Sequence, residues 1–292
     1  MDRTFRKLLD RYRVTQGKGF ALNDHDPDDT GGHKLERTDA EALLKASTTI
    51  LAEQQDKLYA QDRWSVLCIF QAMDAAGKDG AVKHVFSGVN PQGCHVESFK
   101  APNALELDHD FLWRHAIALP RRGAIGIHNR SWYEETLVVR VHHEILARQK
   151  LPPKLITKRI FDERLEDIAA FERYLARQGV VILKFFLHVS KEEQRKRFLE
   201  RIDEPAKNWK FAAADVGERV HWKAYHAAYE QAIRATAAPH APWYVVPADN
   251  KRFTRIIIAN AIAAALEDLD LHYPQIDEAT RAKLAEARAT LE

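Results

Sequence analysis

A chain of 292 residues, 46% of them apolar and 29% charged, can bury a full core without disulfide or metal staples. Its two cysteines exclude a disulfide framework and read as free thiols, and a net charge of +2 points to no partner by itself. No basic-then-apolar leader opens the sequence and no apolar run approaches bilayer-spanning length, so a cytoplasmic protein without membrane contact is expected.

Residues 1–37 are polar, with Gly17, Gly19, Pro27, Gly31 and Gly32 among scattered charges, and read as an irregular N-terminal arm on a body of residues 38–292. The acidic cluster Asp24, Asp26, Asp28 and Asp29 fits a loop held by Asp-turns better than a metal site. Thr38–Asp39 is placed to cap a long amphipathic helix carrying Leu43, Leu44, Ser47, Ile50, Leu51 and Leu58 on its buried side. Ser65–Phe70 follows, a continuous apolar run suited to a strand buried on both faces. Further strands are predicted at His95–Phe99, Ala124–His128, Val180–His188 and Trp243–Pro247. Helical patterns lie between them at Lys83–Ser87, Ala104–Leu119, Trp132–His143, Asp162–Gln178, Lys191–Ile202, Val216–Thr236 and Thr254–Leu271. This alternation predicts an α/β fold: a mostly parallel sheet covered by helices on both faces.

Three segments carry chemistry. The first strongly apolar strand runs into Gln71-Ala-Met-Asp-Ala-Ala-Gly-Lys-Asp-Gly80 and then into a helix. A glycine-bearing loop at that position gathers backbone N–H groups and a helix N-terminus around an anion. Ala75, Ala76, Gly77, Asp79 and Gly80, with Lys83 at the start of the predicted helix, are therefore expected to bind phosphate, and Lys78 to reach the transferring group. Compared with G-x-x-x-x-G-K-[ST], the segment keeps Gly77-Lys78 but has Asp79 where the magnesium-binding hydroxyl stands. Asp74 is the obvious replacement ligand.

The second segment, Asn129-Arg-Ser-Trp-Tyr-Glu134, follows the strand Ala124–His128, where P-loop enzymes place a further metal contact. Asn129 would supply a neutral oxygen and Arg130 a planar fork of donors for phosphate. A capping role for Asn129 or Ser131 is compatible with both. The third, Arg201-Ile-Asp-Glu-Pro-Ala-Lys-Asn-Trp-Lys210, occupies the place of a closing lid, where Arg201, Lys207 and Lys210 would track a polyanion. His142 and His143 show no metal-ligand spacing, and Trp209, Trp222 and Trp243 read as packing residues.

These pieces in this order resemble the polyphosphate kinase 2 family, from about Phe20 to about Pro274. Leu183-Lys-Phe-Phe-Leu-His-Val-Ser190 and Asp203, Pro205, Lys207 and Trp209-Lys210 extend the likeness. The resemblance implies a P-loop kinase fold similar to thymidylate kinase with a helical lid at about 201–216. It also implies magnesium-dependent phosphate transfer between inorganic polyphosphate and the nucleotides AMP, ADP and ATP, in a homo-oligomer, a dimer or tetramer. Many family members carry Asp where Asn129 stands. The loop sequence together with Glu134 looks like the subgroup, class III, that phosphorylates mono- and diphosphates alike, so Glu134 is expected to face the acceptor. The catalytic set is then Asp74, Lys78 and Arg130, with Asp74 and Asn129 holding Mg2+. Three alternatives are a diphosphate-only polyphosphate kinase, an ATP-dependent nucleoside monophosphate kinase, and a polyanion-binding module without turnover. A nucleic-acid partner is not expected, since an internal carboxylate is a costly feature for mere charge attraction.

Overall fold

The computed structural model describes residues 3–32 and 36–292; Met1, Asp2 and residues 33–35 of the expected arm lie outside them. Six strands form one sheet: β1 (Arg13–Val14), β2 (Ser65–Ala72), β3 (Cys94–Ser98), β4 (Ile125–Asn129), β5 (Val180–His188) and β6 (Trp243–Pro247). Their order is β1-β6-β5-β2-β4-β3, parallel throughout except for the two residues of β1, which run antiparallel to β6.

Alternation along each strand divides the core in two. Val66, Cys68 and Phe70 of β2, with Leu183, Phe185 and Leu187 of β5, pack under the helices Arg37–Gln61, Lys78–Val85 and Lys251–Glu267. Leu67 and Ile69, with Ile182 and Phe186, point the other way and meet Leu165 and Ile168 of Ile160–Arg177 and Tyr229 and Ile233 of Trp222–Thr236. Both faces are thus covered, which is why β2 reads as an unbroken apolar run. β2 lies between β5 and β4, so the crevice at the carboxyl ends of the central strands opens beside the glycine-bearing loop.

Several boundaries differ from the sequence reading. Residues 3–12, expected to be irregular, form a helix that buries Leu9 and Tyr12. The acidic cluster does make Asp-turns: Asp26 accepts from the Asp28 N–H at 2.9 Å and Asp29 from the Gly31 N–H at 2.9 Å. The long second helix starts at Arg37, and its N-cap Glu36 makes no capping hydrogen bond, so Thr38–Asp39 is not the cap. The single helix expected over 104–119 breaks into two short turns, Ala104–Leu107 and Trp113–Ala116. Trp132–His143 starts as a 3-10 turn at Trp132–Glu135, because Ser131 turns back to accept from the Tyr133 N–H. A C-terminal helix, Glu278–Leu291, was not expected. It is exposed throughout. No described helix is long and apolar enough to cross a membrane.

Candidate active site

The loop after β2 is fixed from behind. Gly77 adopts φ +105, open to glycine and strained for other residues, and Ala75 sits at φ +60 in the same left-handed region. The helix Lys191–Asp203 holds that shape: Gln194 donates to the Asp74 carbonyl at 2.9 Å. Arg197, 5% exposed, donates to the carbonyls of Ala75 at 3.2 Å and Ala76 at 2.7 Å. Its other terminal nitrogen reaches Ala248 and Asp249 at 2.6 and 3.0 Å. With those carbonyls engaged behind the loop, the unpartnered first N–H groups of Lys78–Val85 face the crevice.

Lys78 folds back to donate to the Ala72 carbonyl at 2.9 Å. Desolvation first and the neighbouring Arg130 second push its ammonium down to about 8, against the pull of Asp74 and Glu134. An arriving anion would offset the repulsion from Arg130.

Arg130 occupies φ +68, with its N–H donating to the Phe70 carbonyl at 3.0 Å, so β2 and β4 jointly aim the side chain. Its guanidinium spans two carboxylates: Glu134 Oε2 at 2.8 Å and Asp74 Oδ1 at 3.3 Å. Gln71 Nε2 holds the other Glu134 oxygen at 2.9 Å. The Glu134 charge, helped by Asp74, keeps Arg130 protonated despite its partial burial. Asn129 donates from Nδ2 to Asp79 Oδ1 at 2.8 Å, while its own Oδ1 is buried with no hydrogen-bond partner.

Behind this segment lies a buried ionic knot. Lys184 and Glu172, 0% and 1% exposed, pair at 2.6 Å. Glu172 also accepts from the Tyr133 hydroxyl at 2.7 Å and from Trp132 Nε1 at 3.3 Å. Trp132 and Tyr133 are thus locked from the rear, while Glu134, itself held by Gln71, and Asp74 hold Arg130 from the front. Sequence reasoning passed over Gln71, Glu172, Lys184, Gln194 and Arg197. A polar residue inside an apolar strand, as at Gln71 and Lys184, was the available signal.

Two cavities meet here. The larger, about 620 Å³, runs from the loop to the segment after Asp203 and is lined by nine lysines and arginines against four carboxylates, a clear excess of positive charge. Asp74, Ala75, Ala76, Gly77, Lys78, Asp79, Gly80, Asn129, Arg130, Arg201, Lys207 and Lys210 all line it. Lys83 does not: it lies exposed on the flank of its helix, away from the expected phosphate site. Trp209, expected to be packed, is 79% exposed and contributes to the cavity wall, with the Lys210 ammonium 4.9 Å from its ring centre. Trp243 is fully buried, as expected. Lys207 is held by Glu200 and Glu204, and Arg201 lies 3.7 Å from Asp215. These partners neutralise Arg201 and Lys207 in the ligand-free cleft.

The second cavity, about 420 Å³, is lined by Met73, Val138, Ile145, Tyr225 and Tyr229, with polar groups including Glu134, His142 and Glu218. Asp74 and Arg130 line both cavities.

Over residues 34–274 the sequence matches the family model for polyphosphate kinase 2. The chain belongs to the polyphosphate kinase 2 family. It is 51% identical over 250 residues to an ADP-polyphosphate phosphotransferase of Rhodopseudomonas palustris, covering 85% of this chain and 86% of that one. It is 42% identical over 272 residues to an AMP/ADP-polyphosphate phosphotransferase of Meiothermus ruber, covering 93% and 98%. The crystal structure of polyphosphate kinase 2 from Arthrobacter aurescens superposes with a TM-score of 0.85 at 39% identity, covering 94% of this chain and 95% of that one. The fold is that of the family, and the chain is a polyphosphate-dependent nucleotide kinase. An ATP donor and a binding module without turnover are set aside.

The donor set also fits a hard divalent cation. Mg2+ takes one or two carboxylates and completes its shell with water and phosphate oxygens. Asp74 offers a carboxylate at the cavity junction, and the orphaned Asn129 Oδ1 offers a neutral oxygen whose burial is otherwise unexplained. Among the described residues no group of three or more acidic, histidine or cysteine side chains is gathered around a metal site.

Proposed function

We propose that this protein transfers phosphate reversibly from inorganic polyphosphate to nucleoside diphosphates and monophosphates, ADP and AMP. The observation that carries the reading is that Asp74 and Arg130 line two cavities of different character. The donor chain occupies the basic cleft, where spaced cations suit a repeating negative charge better than one deep pocket does. The acceptor nucleotide occupies the second cavity, its apolar and tyrosine walls against the nucleoside.

Phosphoryl transfer needs alignment and neutralised charge more than covalent help. Arg130, clamped by Glu134 and Asp74, presents its planar fork where donor and acceptor phosphates meet. Lys78 leaves the Ala72 carbonyl for the transferring group, regaining a full charge as it does so. Arg201 and Lys207 exchange their carboxylate partners for the donor chain, and Lys210 adds its ammonium from beside the Trp209 ring, as the segment 201–216 closes as a lid on the kinase body 38–292. Asp74 and Asn129 would hold Mg2+, which supplies neutralisation of phosphate charge when bound.

The finer question is the acceptor. Glu134 lines the second cavity with its carboxylate already committed to Arg130 and Gln71, which supports a site tuned for both AMP and ADP. The name of the Rhodopseudomonas palustris relative supports a second reading, ADP alone. The test is a coupled assay with polyphosphate, magnesium and either AMP or ADP. Turnover with both supports the first reading. Turnover with ADP only establishes the second. No turnover with either refutes both. We further read the active form as a homo-oligomer, which size-exclusion chromatography with light scattering checks.

A further inference from the structure

The wall of the second cavity carries a carboxylate that phosphoryl transfer leaves unused. Glu218 opens the short turn Glu218–His221, which returns the chain from the lid to the body. Its Oε2 accepts from the Tyr225 hydroxyl at 2.8 Å and lies 2.8 Å from His142 Nε2. His142 comes from another wall, at the junction of the short helices Val138–Val141 and His143–Leu146. Its Nδ1 lies 3.2 Å from Glu144 Oε1.

An imidazole with a carboxylate at each nitrogen donates at both ends only when protonated. The other groups facing the ring are the His221 ring, 5.0 Å away, and the Tyr225 ring, 6.4 Å away. The hydrogen bond with Glu218 accordingly raises the His142 pKa above its ordinary value. Burial pushes the Glu218 carboxyl up, but the hydrogen bonds from His142 and Tyr225 outweigh it and hold it below the usual range. Both donors meet the same oxygen. Among the described residues nothing donates to Glu218 Oε1.

We propose that His142 and Tyr225 are positioning residues that fix the Glu218 carboxylate so that Oε1 accepts a hydrogen bond from the nucleoside of the acceptor nucleotide. The chemistry recognised is a neutral donor, either a ribose hydroxyl or an amine of the base. Carboxylates recognise ribose hydroxyls in this way elsewhere. The inference rests on the assignment of this cavity to the acceptor. Glu134 and Arg130 serve the phosphate end, and Glu218 serves the nucleoside end.

The test is calorimetric titration of the full chain with ADP and, separately, with polyphosphate. Wild type is compared with Glu218→Gln, His142→Gln and Tyr225→Phe from about pH 6 to about pH 9, the span over which a raised histidine titrates. Glu218→Gln and His142→Gln should raise the ADP Kd about tenfold or more, the scale of a lost hydrogen bond to a charged group. The polyphosphate Kd should stay within about twofold by the same scale. Wild-type ADP affinity should fall more steeply than that of His142→Gln as pH rises through the His142 pKa, the slope common to both being that of Lys78 and of the nucleotide's own phosphate. Tyr225→Phe should weaken ADP less, and it serves if a His142 variant does not fold.

Two analogues separate the possible donors. Inosine diphosphate lacks the exocyclic amine, and 2′,3′-dideoxy-ADP lacks the hydroxyls. The analogue missing the recognised donor should bind wild type and Glu218→Gln equally. An unchanged ADP Kd in Glu218→Gln overturns the inference. So do parallel losses for both ligands, or a wild-type preference that both analogues retain in full. If ADP binds with this dependence on Glu218 and yet is not phosphorylated, the proposed function fails and this inference stands.

Discussion

Replacing Asp74 with asparagine keeps the side chain's shape and removes one charge where the two cavities meet. The structural cost is small. The Asp74–Arg130 pair spans 3.3 Å with side chains 29% and 39% exposed, and Arg130 keeps its shorter contact to Glu134 at 2.8 Å. A pair that open to solvent contributes at most about 1 kcal/mol, which lowers the Tm of a domain this large by about 2–4 °C. The Asp74 carbonyl, held by Gln194 at 2.9 Å, is untouched. The catalytic cost is larger. Loss of one preorganised charge at a phosphoryl-transfer centre costs on the order of 10²-fold in kcat, about 2.7 kcal/mol of barrier. The variant should therefore be folded and slow. The assay follows nucleotide phosphorylation at saturating polyphosphate while magnesium is titrated, with a thermal melt alongside. Raising magnesium should restore part of the rate, because a weakened ligand lowers metal affinity before it abolishes the chemistry. A folded Asp74→Asn enzyme with full activity at low magnesium would refute the assignment and leave Asp74 as a turn former, where asparagine serves nearly as well.

Three further outcomes follow from the same geometry. Glu134→Asn cannot span both Gln71 and Arg130, so activity should fall by on the order of tenfold, the scale of a lost charge-assisted hydrogen bond. AMP should suffer more than ADP, and equal losses in kcat/KM for the two acceptors would remove Glu134 from the specificity argument. Replacing Arg201, Lys207 and Lys210 together by alanine should raise the polyphosphate KM and flatten its salt dependence, because the salt slope counts cationic contacts on a linear polyanion. An unchanged slope would place the donor elsewhere. Lys78, held down at about 8, loses its charge as pH rises through that value, so kcat/KM for polyphosphate should fall above about pH 8. Lys78→Arg should lack that limb, since a guanidinium stays charged. The same depressed value means that the unfolded chain binds more protons between about 8 and the ordinary 10.5, so ligand-free stability should rise with pH across that window.

The sequence by itself determined the elements whose physics is local. β2 was legible because a strand buried on both faces must be apolar without interruption, and the loop after it because Gly77-Lys78 at a strand–helix junction has few other uses. The family followed from the order of the charged motifs. Local pattern failed where burial is sparse or turns dominate. The helix Arg3–Tyr12 is polar enough to pass for loop, and it is held by a few buried side chains such as Leu9 and Tyr12. Lys83 shares the sequence neighbourhood of Lys78, but helical geometry turns it to the outside.

What only the tertiary structure decided are the relations between segments far apart in the chain. Arg197 lies 121 residues from the Ala76 carbonyl it holds, and Lys184 lies 51 from Tyr133. No periodicity encodes such pairs, because each is set by how the strand order places β5 and its following helix behind the loop of β2. The same packing turned one expected phosphate site into two cavities with Asp74 and Arg130 on their common boundary. It also joined His142, Glu218 and Tyr225, which the sequence presents as unrelated surface residues, into one hydrogen-bonded group. Local composition specifies what a segment can do; only the sheet order brings distant groups close enough for charge and hydrogen bonding to act.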